Sequence, residues 1–441
     1  MKDDSFTLND GSNIAVIGSG PAGSFFSIFA LKMAKLVGKE INITIFEPKD
    51  FQKKGPRGCN HCGGVISERL IQMLAVEGIN VPPEVVQRGI DSYYFYTNSG
   101  DVHIKTPSDE KRIAAVYRGI GPIDTEESIK SFDQFLLDIA IEEGAVHQPV
   151  KVDHVICGKK PMLFSKLDKL MEADLVVGAF GVNSVSSAIF ESAGFGYKKP
   201  ETTTASISEF HLGKEKVREY FGSSIHLFLL PIKDIKFAAI IPKVEHVTVC
   251  ILGREVNKET VQNFLSHPSV KKVLHEEVLT EQSCMCFPKM NVSAAKNPFT
   301  DRVVVIGDSG SARLYKDGIG AAYTTGKAAA KTAILYGVGR NDFRKYFSSA
   351  CKGINTDNLY GKFLFGVTDT LRERLILCEG VMETLRKEQA FNGEPKRLSS
   401  ILWDMFTGNE LYKNIFFNSL HPKMNVRLLS DFATTVWRRL K

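Results

Sequence analysis

The stretch at 13–47 restricts this chain more than any other. An apolar β-type run at 14–17 leads into Gly18-Ser19-Gly20-Pro21-Ala22-Gly23, then a helical stretch at 24–37, a second strand at 41–46 and an acid, Glu47. That order predicts a complete βαβ unit. Gly18 permits the tight turn, Gly20 lets backbone approach a pyrophosphate and Gly23 lets helix pack on strand, while the helix start offers free N–H groups and a positive dipole end. A GxGxxG alone is weak, and a glycine turn that merely connects elements is the alternative. The flanking strands, and an acid placed to take a ribose hydroxyl pair, favour a dinucleotide site at Gly18, Gly20, Pro21, Ala22, Gly23 and Glu47.

A chain of 441 residues with 43% hydrophobic composition can bury a large core and make two or three domains. Its net charge of +6 is small, and basic residues are not interleaved with aromatics, which argues against nucleic acid. Residues 360–441 carry 13 Lys or Arg against 9 Asp or Glu, a bias that suits an anionic partner or membrane surface as well as a solvated helical face. Residues 1–12 are polar and acidic, and no apolar run reaches the roughly 18 residues that span a bilayer, so a cytoplasmic protein is expected. The eight cysteines follow no regular framework and read as reduced thiols.

After Glu47 comes a stretch dense in Gly, Lys and Cys, Gly55-Pro56-Arg57-Gly58-Cys59-Asn60-His61-Cys62-Gly63-Gly64, which is no regular element and implies close backbone approach to something. A short helix at 68–78, a hairpin at 90–106, a strand at 114–118 returning to the first domain and a helix at 131–143 follow. A buried strand at 174–179 runs into Gly181-Val182-Asn183-Ser184, residues 202–253 alternate as strands, and at 303–306 a strand leads to Gly307-Asp308. Asp317-Gly318-Ile319-Gly320 opens an Ala-rich helix at 321–335, and the rest reads as helices. For Gly318 and Gly320 the competing reading is a plain helix entry turn, for Arg57 a surface charge, and for 237–241 a simple core strand.

Cys59 and Cys62 form a CxxC pair that reads as a redox dithiol, half a metal site or packed thiols. Although His61, Cys284 and Cys286 are available, no standard second pair exists and no metal is expected. At the C-terminus Met424, Leu428, Phe432, Val436 and Leu440 recur every fourth residue beside Arg427, Arg438, Arg439 and Lys441, with Trp437 near the end. This amphipathic basic helix suits either a membrane interface, at the inner face, or docking on the protein's own core.

Taken together, the GxGxxG, the Arg118 strand with its helix ending at Gly144, the strand into Gly181, and Gly307-Asp308 resemble the FAD-containing aromatic hydroxylase superfamily, of the p-hydroxybenzoate hydroxylase fold. Within it, Cys62-Gly63-Gly64 after Arg57 and Asp317-Gly318-Ile319-Gly320 look most like the geranylgeranyl reductase branch. The resemblance spans about residues 13–340.

It implies an α/β fold: a discontinuous Rossmann-like FAD-binding domain (1–80, 112–199, 293–345), a β-rich substrate domain (81–111, 200–292) and a helical C-terminal region (346–441). Asp308 would meet the ribityl chain, Gly318, Ile319 and Gly320 the flavin pyrimidine edge, and Arg57, Cys62, Gly63, Arg118, Gly181 and Gly307 the rest of the cofactor. The implied activity is reduction of a C=C bond in a hydrophobic, isoprenoid or quinone-like molecule by hydride transfer from reduced flavin. Cys62 and Tyr315 are the proton donors expected, and NADPH or a ferredoxin-like protein the electron donor. A flavin monooxygenase and a non-enzymatic electron-transfer flavoprotein are the alternatives. Two departures stand out. The superfamily's Gly-Ala-Asp-Gly reads Gly178-Ala179-Phe180-Gly181, without the carboxylate tied to NADPH-dependent reduction. The branch's Tyr, Trp and Phe before a Pro read Phe237-Ala238-Ala239-Ile240-Ile241-Pro242, which widens an apolar pocket at Ala239.

Overall fold

The computed structural model describes residues 6–106, 113–391 and 395–440, so Lys441, residues 1–5 of the polar leader and the boundary expected at 111–112 lie outside the described residues. The chain forms two compact units. The first is Met1–Lys53, Lys130–Thr202 and Lys289–Thr356; the second is Lys54–Ile129, Thr203–Pro288 and Asp357–Lys441.

In the first unit, strand β1 (Ser12–Ile17), helix α1 (Pro21–Leu36) and strand β2 (Ile41–Phe46) realise the βαβ unit read from the sequence. The sheet runs Phe299–Thr300, Val303–Val305, Leu175–Gly178, β1, β2, Val146–Gln148. Every pairing is parallel except the one between Phe299–Thr300 and Val303–Val305. Apolar residues run continuously along β1 because both faces are covered. Ala15 and Ile17 enter a cluster with Val176, Phe190 and Val305, whereas Val16 meets α1 at Gly23, where an added Cβ would stand 3.1 Å from Val16 Cγ1. The helix Phe132–Glu142 is capped by Ser131, whose hydroxyl accepts from the Gln134 amide at 3.1 Å. A small antiparallel sheet, His154–Ile156, Met162–Ser165 and Asp168–Glu172, was not foreseen.

The second unit is built on a sheet ordered Gln282–Cys286, Thr202–His211, His246–Gly253, Ile235–Pro242, Ser224–Phe228, Ser92–Thr97, Gly100–Lys105. The expected hairpin is present, with Thr97 opposite Gly100. One face of the sheet buries Phe210, Phe228, Ala238, Ile240, Val249 and Ile251 against Val217, Phe221, Val261 and Phe264 from two short helices.

Two expectations are corrected here. Strand Ile113–Val116 does not return to the nucleotide domain: it pairs with Val65–Ile66 and Val86–Ile90 in a separate sheet of the second unit, so residues 54–80 and Arg118 belong there too. Nor do the helices after residue 356 stand apart. Phe365 stacks on Phe237 at 5.9 Å, Phe406 meets Phe95 at 5.6 Å and Trp403 meets Tyr93 at 5.3 Å, so these helices share the β-rich unit's core. Aromatic faces on the sheet need burial, and the C-terminal helices provide it.

Candidate functional site

The register of the first unit's sheet aligns the ends of four strands. Ile17 lies opposite both Phe46 and Gly178, and Gly178 lies opposite Val305. Gly18, Glu47, the turn 179–181 and Gly307-Asp308 therefore leave the same carboxyl edge of one parallel sheet, where open α/β sheets form their ligand crevice.

The glycines there are demanded by space. A Cβ on Gly18, whose φ is +105°, would stand 2.5 Å from the Ala179 carbonyl oxygen, and one on Gly23 would stand 1.9 Å from the Gly18 carbonyl oxygen. Helix α1 has Gly20 at its N-cap, Pro21 in its first turn and no side-chain cap, which leaves its leading amides to an incoming group. Ser19 Oγ is fully buried and has no hydrogen-bond partner among the described residues. Glu47 stands beside this turn: its carboxylate accepts from the Lys49 amide at 2.9 Å and the Ser19 amide at 3.4 Å. Burial raises its pKa above the ordinary carboxylate range, and those two amides oppose the rise.

The late segments close on the same turn. Gly307, with φ +61°, presses on Ala22, where an added Cβ would be 2.6 Å from the alanine methyl, and Ser309 Oγ donates to the Gly181 carbonyl at 3.3 Å. The Asp308 carboxylate lies against Gly318, 3.3 Å from where a Cβ would be, at the start of helix Gly318–Leu335. Asp317 is left-handed and caps that helix, accepting from the Gly320 amide at 3.1 Å, and a Cβ on Gly320 would stand 2.4 Å from that carboxylate and push the cap aside. The helix itself lies close on α1: a Cβ on Gly326 would be 3.1 Å from the Ala22 carbonyl oxygen. Ile319 is buried, and Tyr315 is half-buried at φ +61° in the turn ahead of the helix. A cradle of glycines, an unsatisfied buried hydroxyl, an uncapped helix start and two carboxylates fit a dinucleotide cofactor.

Arg57, Cys62, Gly63 and Arg118 fall in the second unit. Arg57 is exposed and Arg118 half-buried, in neighbouring turns, since a Cβ on Gly119 would be 2.7 Å from the Gly58 carbonyl oxygen. The Cys59–Cys62 loop folds onto the sheet face opposite the apolar core. A Cβ on Gly63 would be 2.7 Å from Cys250 Sγ and 3.2 Å from Ile241 Cδ1. Pairing registers place Ala239, Cys250, Ile207 and Cys286 in one row of that face and Ile241, Thr248, Glu209 and Cys284 in the next.

Glu209 is 6% exposed, and its carboxylate accepts from Thr248 Oγ1 at 2.8 and 2.9 Å and from the Tyr117 hydroxyl at 3.3 Å. Lys243, fully buried, donates to the Val116 carbonyl at 3.0 Å with its ammonium 3.9 Å above the Tyr117 ring. Burial pushes the Cys284 and Cys286 thiols up to about 12 and Cys250 higher, so all three stay protonated. Among the described residues no group of three or more His, Cys, Asp or Glu could hold a metal ion.

Sequence reasoning missed Glu209, Thr248, Tyr117 and Cys250. The one available signal was an acid standing in a strand of small and apolar residues, Ala205-Ser206-Ile207-Ser208-Glu209-Phe210. The position of the absent carboxylate is filled by Phe180, whose ring packs on Phe190 at 4.9 Å, so the residue there is a core contact. The strand expected over the flavin is buried from Phe237 to Ile241, as either reading of it required.

No family model matches the chain. Over 261 residues, 57% of this chain, it is 23% identical to the geranylgeranyl diphosphate reductase of Synechocystis sp. (strain ATCC 27184 / PCC 6803 / Kazusa), and the match spans 57% of that relative's length. Among solved structures, a geranylgeranyl bacteriochlorophyll reductase-like protein from Thermoplasma acidophilum superposes with a TM-score of 0.66 at 15% identity, covering 92% of this chain and 98% of the other. A flavoprotein/dehydrogenase from Cytophaga hutchinsonii gives 0.63 at 18% identity, covering 96% and 100%. The crevice at the sheet's carboxyl edge and these likenesses agree: the chain has the fold of the flavoprotein superfamily that includes the geranylgeranyl reductase-like proteins and the FAD-dependent aromatic hydroxylases.

Proposed function

We propose that this chain is an FAD-dependent oxidoreductase that reduces a carbon–carbon double bond in a hydrophobic, isoprenoid or quinone-like molecule. The observation that carries the reading is the closure of Gly307-Asp308 onto Ala22 at the GxGxxG helix start, which brings separated segments to one crevice. In it the leading amides of α1 would hold the pyrophosphate and Glu47 the ribose diol. Asp308 would hold the ribityl chain, and the start of helix Gly318–Leu335 the pyrimidine edge. Bound there, FAD would supply a two-electron carrier able to donate hydride.

The chain's own residues do the rest. Asp317 fixes the first turn of its helix, so the helix dipole is aimed before cofactor arrives. In the second unit Ala239 and Ile241 give an apolar strand face suited to a hydrocarbon chain, and the protonated thiols beside them carry no charge to repel one. The proton for the second carbon of the bond would come from a single acid, for which Cys62, Glu209 and Tyr315 are separate candidates. With Phe180 in place of a carboxylate, a ferredoxin-like donor is favoured over direct reduction by NADPH. The name of the Synechocystis relative supports reduction rather than oxygen insertion.

The test is anaerobic reduction of the FAD-loaded protein with NADPH, then with reduced ferredoxin, followed by polyprenyl substrates. Flavin reoxidation with saturation of the chain is expected. Reoxidation only when oxygen is admitted, with a hydroxylated product, would establish a monooxygenase instead, and reoxidation by a partner protein alone would establish an electron carrier.

A further inference from the structure

The C-terminal helix Pro422–Leu440 has two apolar faces, and the stripe read from sequence is mostly the inward one. Met424, Asp431 and Thr435 are buried, and Phe432 packs on helix Leu375–Ala390, where a Cβ on Gly380 would be 1.8 Å from Phe432 Cδ1. The outward face carries Val426 (68% exposed), Leu429 (66%), Ala433, Val436 (40%), Trp437 (59%) and Leu440 (81%). At 100° per residue these positions fall within an arc of about 100°, a continuous stripe in water. Phe417 and Leu420, just ahead of the helix, are each 54% exposed.

Charge identifies the occupant. Residues 411–440 hold Lys413, Lys423, Arg427, Arg438 and Arg439 against one acid, Asp431, and that acid is buried, accepting from Thr384 and Lys387. Lys423 stands next to the stripe on one side with Arg427 and Arg438 farther round that side, where Arg438 pairs with Glu383 at 3.8 Å, and Arg439 lies beyond the other edge. Arg439 is held by Glu379 of the neighbouring helix. An apolar ridge between basic rims, with a tryptophan on it, matches the acyl and headgroup layers of an anionic bilayer. A second copy docked stripe to stripe would set basic edge against basic edge, with no acid on the stripe itself and with Glu379 and Glu383 already paired with Arg439 and Arg438.

We propose that this outward face of the C-terminal helix is an interfacial docking surface for anionic phospholipid. It stands on observations separate from the flavin reading, and the stripe that seats the helix on its own protein is a different one.

The test uses the full chain with phosphatidylcholine vesicles, pure or containing about a third phosphatidylglycerol. The chain has two tryptophans, and Trp403 is only 2% exposed, so a change in emission reports Trp437. Co-sedimentation with the anionic vesicles alone, weakened by salt, with a blue shift of the emission, is expected. Leu429→Ser/Leu440→Ser and Lys413→Glu/Lys423→Glu should each weaken partitioning by about tenfold or more while leaving the melting temperature in place. The proposal is overturned by equal binding to both vesicles, by no binding, or by binding that survives both variants. It is equally overturned if sedimentation shows a dimer that Leu429→Ser dissolves, because a second copy then covers the stripe.

Discussion

Gly307 and Ala22 touch: a Cβ built on the glycine would stand 2.6 Å from the alanine methyl, and the glycine's φ of +61° is one that side chains disfavour. Gly307→Ala must therefore push the Gly307-Asp308 turn off the start of α1. A stability cost of about 1–3 kcal/mol is expected, with FAD affinity falling at least about tenfold. Gly194→Ala is the control, because its φ is +82° but nothing lies within 4 Å of the added carbon. It should cost about 1–2 kcal/mol through strain alone and leave FAD binding intact. Thermal unfolding alongside FAD titration separates the two.

Glu47 makes a second test, in which stability and binding part company. Burial raises its pKa, so the folded apoprotein favours the neutral acid, and the stability this gives is full at low pH and lost as pH rises through the shifted value. Glu47→Gln should leave the apoprotein at pH ~7 as stable as the wild type or more so, while weakening FAD by about 1–3 kcal/mol through the ribose contact. Thermal melts of apoprotein and flavin titrations check each half, and an unaltered affinity would remove Glu47 from the cofactor site.

The βαβ turn at the sheet's carboxyl edge was legible because its grammar is local. Gly18, Gly23 and Glu47 lie within one βαβ unit, and spacing alone fixes their relation. The Glu209 group was not, since Tyr117 and Thr248 reach it from 92 and 39 residues away and only strand register brings them together. Arg118 and Cys62 went to the wrong unit for the same reason: motif order says where residues stand along the chain, whereas pairing of Ile113–Val116 with Val65–Ile66 decides which core they join. On the last helix, hydrophobicity marks two arcs, and only the contact of Gly380 with Phe432 shows which is inward.

Asp404, half-buried in helix Arg397–Thr407, has its pKa raised to about 6 from the ordinary 3.8 by burial, with Glu410 and Glu68 adding to it. The stability this gives is full below 3.8 and lost as pH rises through about 6. Asp404→Asn keeps an acceptor for the Asn409 amide and removes the charge. The variant should be more stable than wild type at pH ~7 by about 1–2 kcal/mol, after allowance for solvent screening, and the difference should vanish near pH ~4. Denaturant melts at the two pH values check the sign, and a variant less stable at neutral pH would refute it.

Gly63 lies over Cys250, with only 2.7 Å between the place of an added Cβ and the thiol sulfur. Gly63→Ala therefore lifts the Cys62 loop from the sheet face that carries Ala239 and Glu209, yet it changes nothing in the Gly18 cradle. Turnover should fall by about tenfold or more, as small misplacements at reacting groups do, with FAD content unchanged. Cys250→Ala deletes the sulfur that the new methyl would strike, so Gly63→Ala/Cys250→Ala should regain most of the lost turnover. Buried and protonated, Cys250 has no charge whose removal could imitate that recovery. If the double variant is no faster than Gly63→Ala, the loss does not come from the contact with the thiol, and Ile241 Cδ1, 3.2 Å from the place of the added Cβ, is the clash that remains.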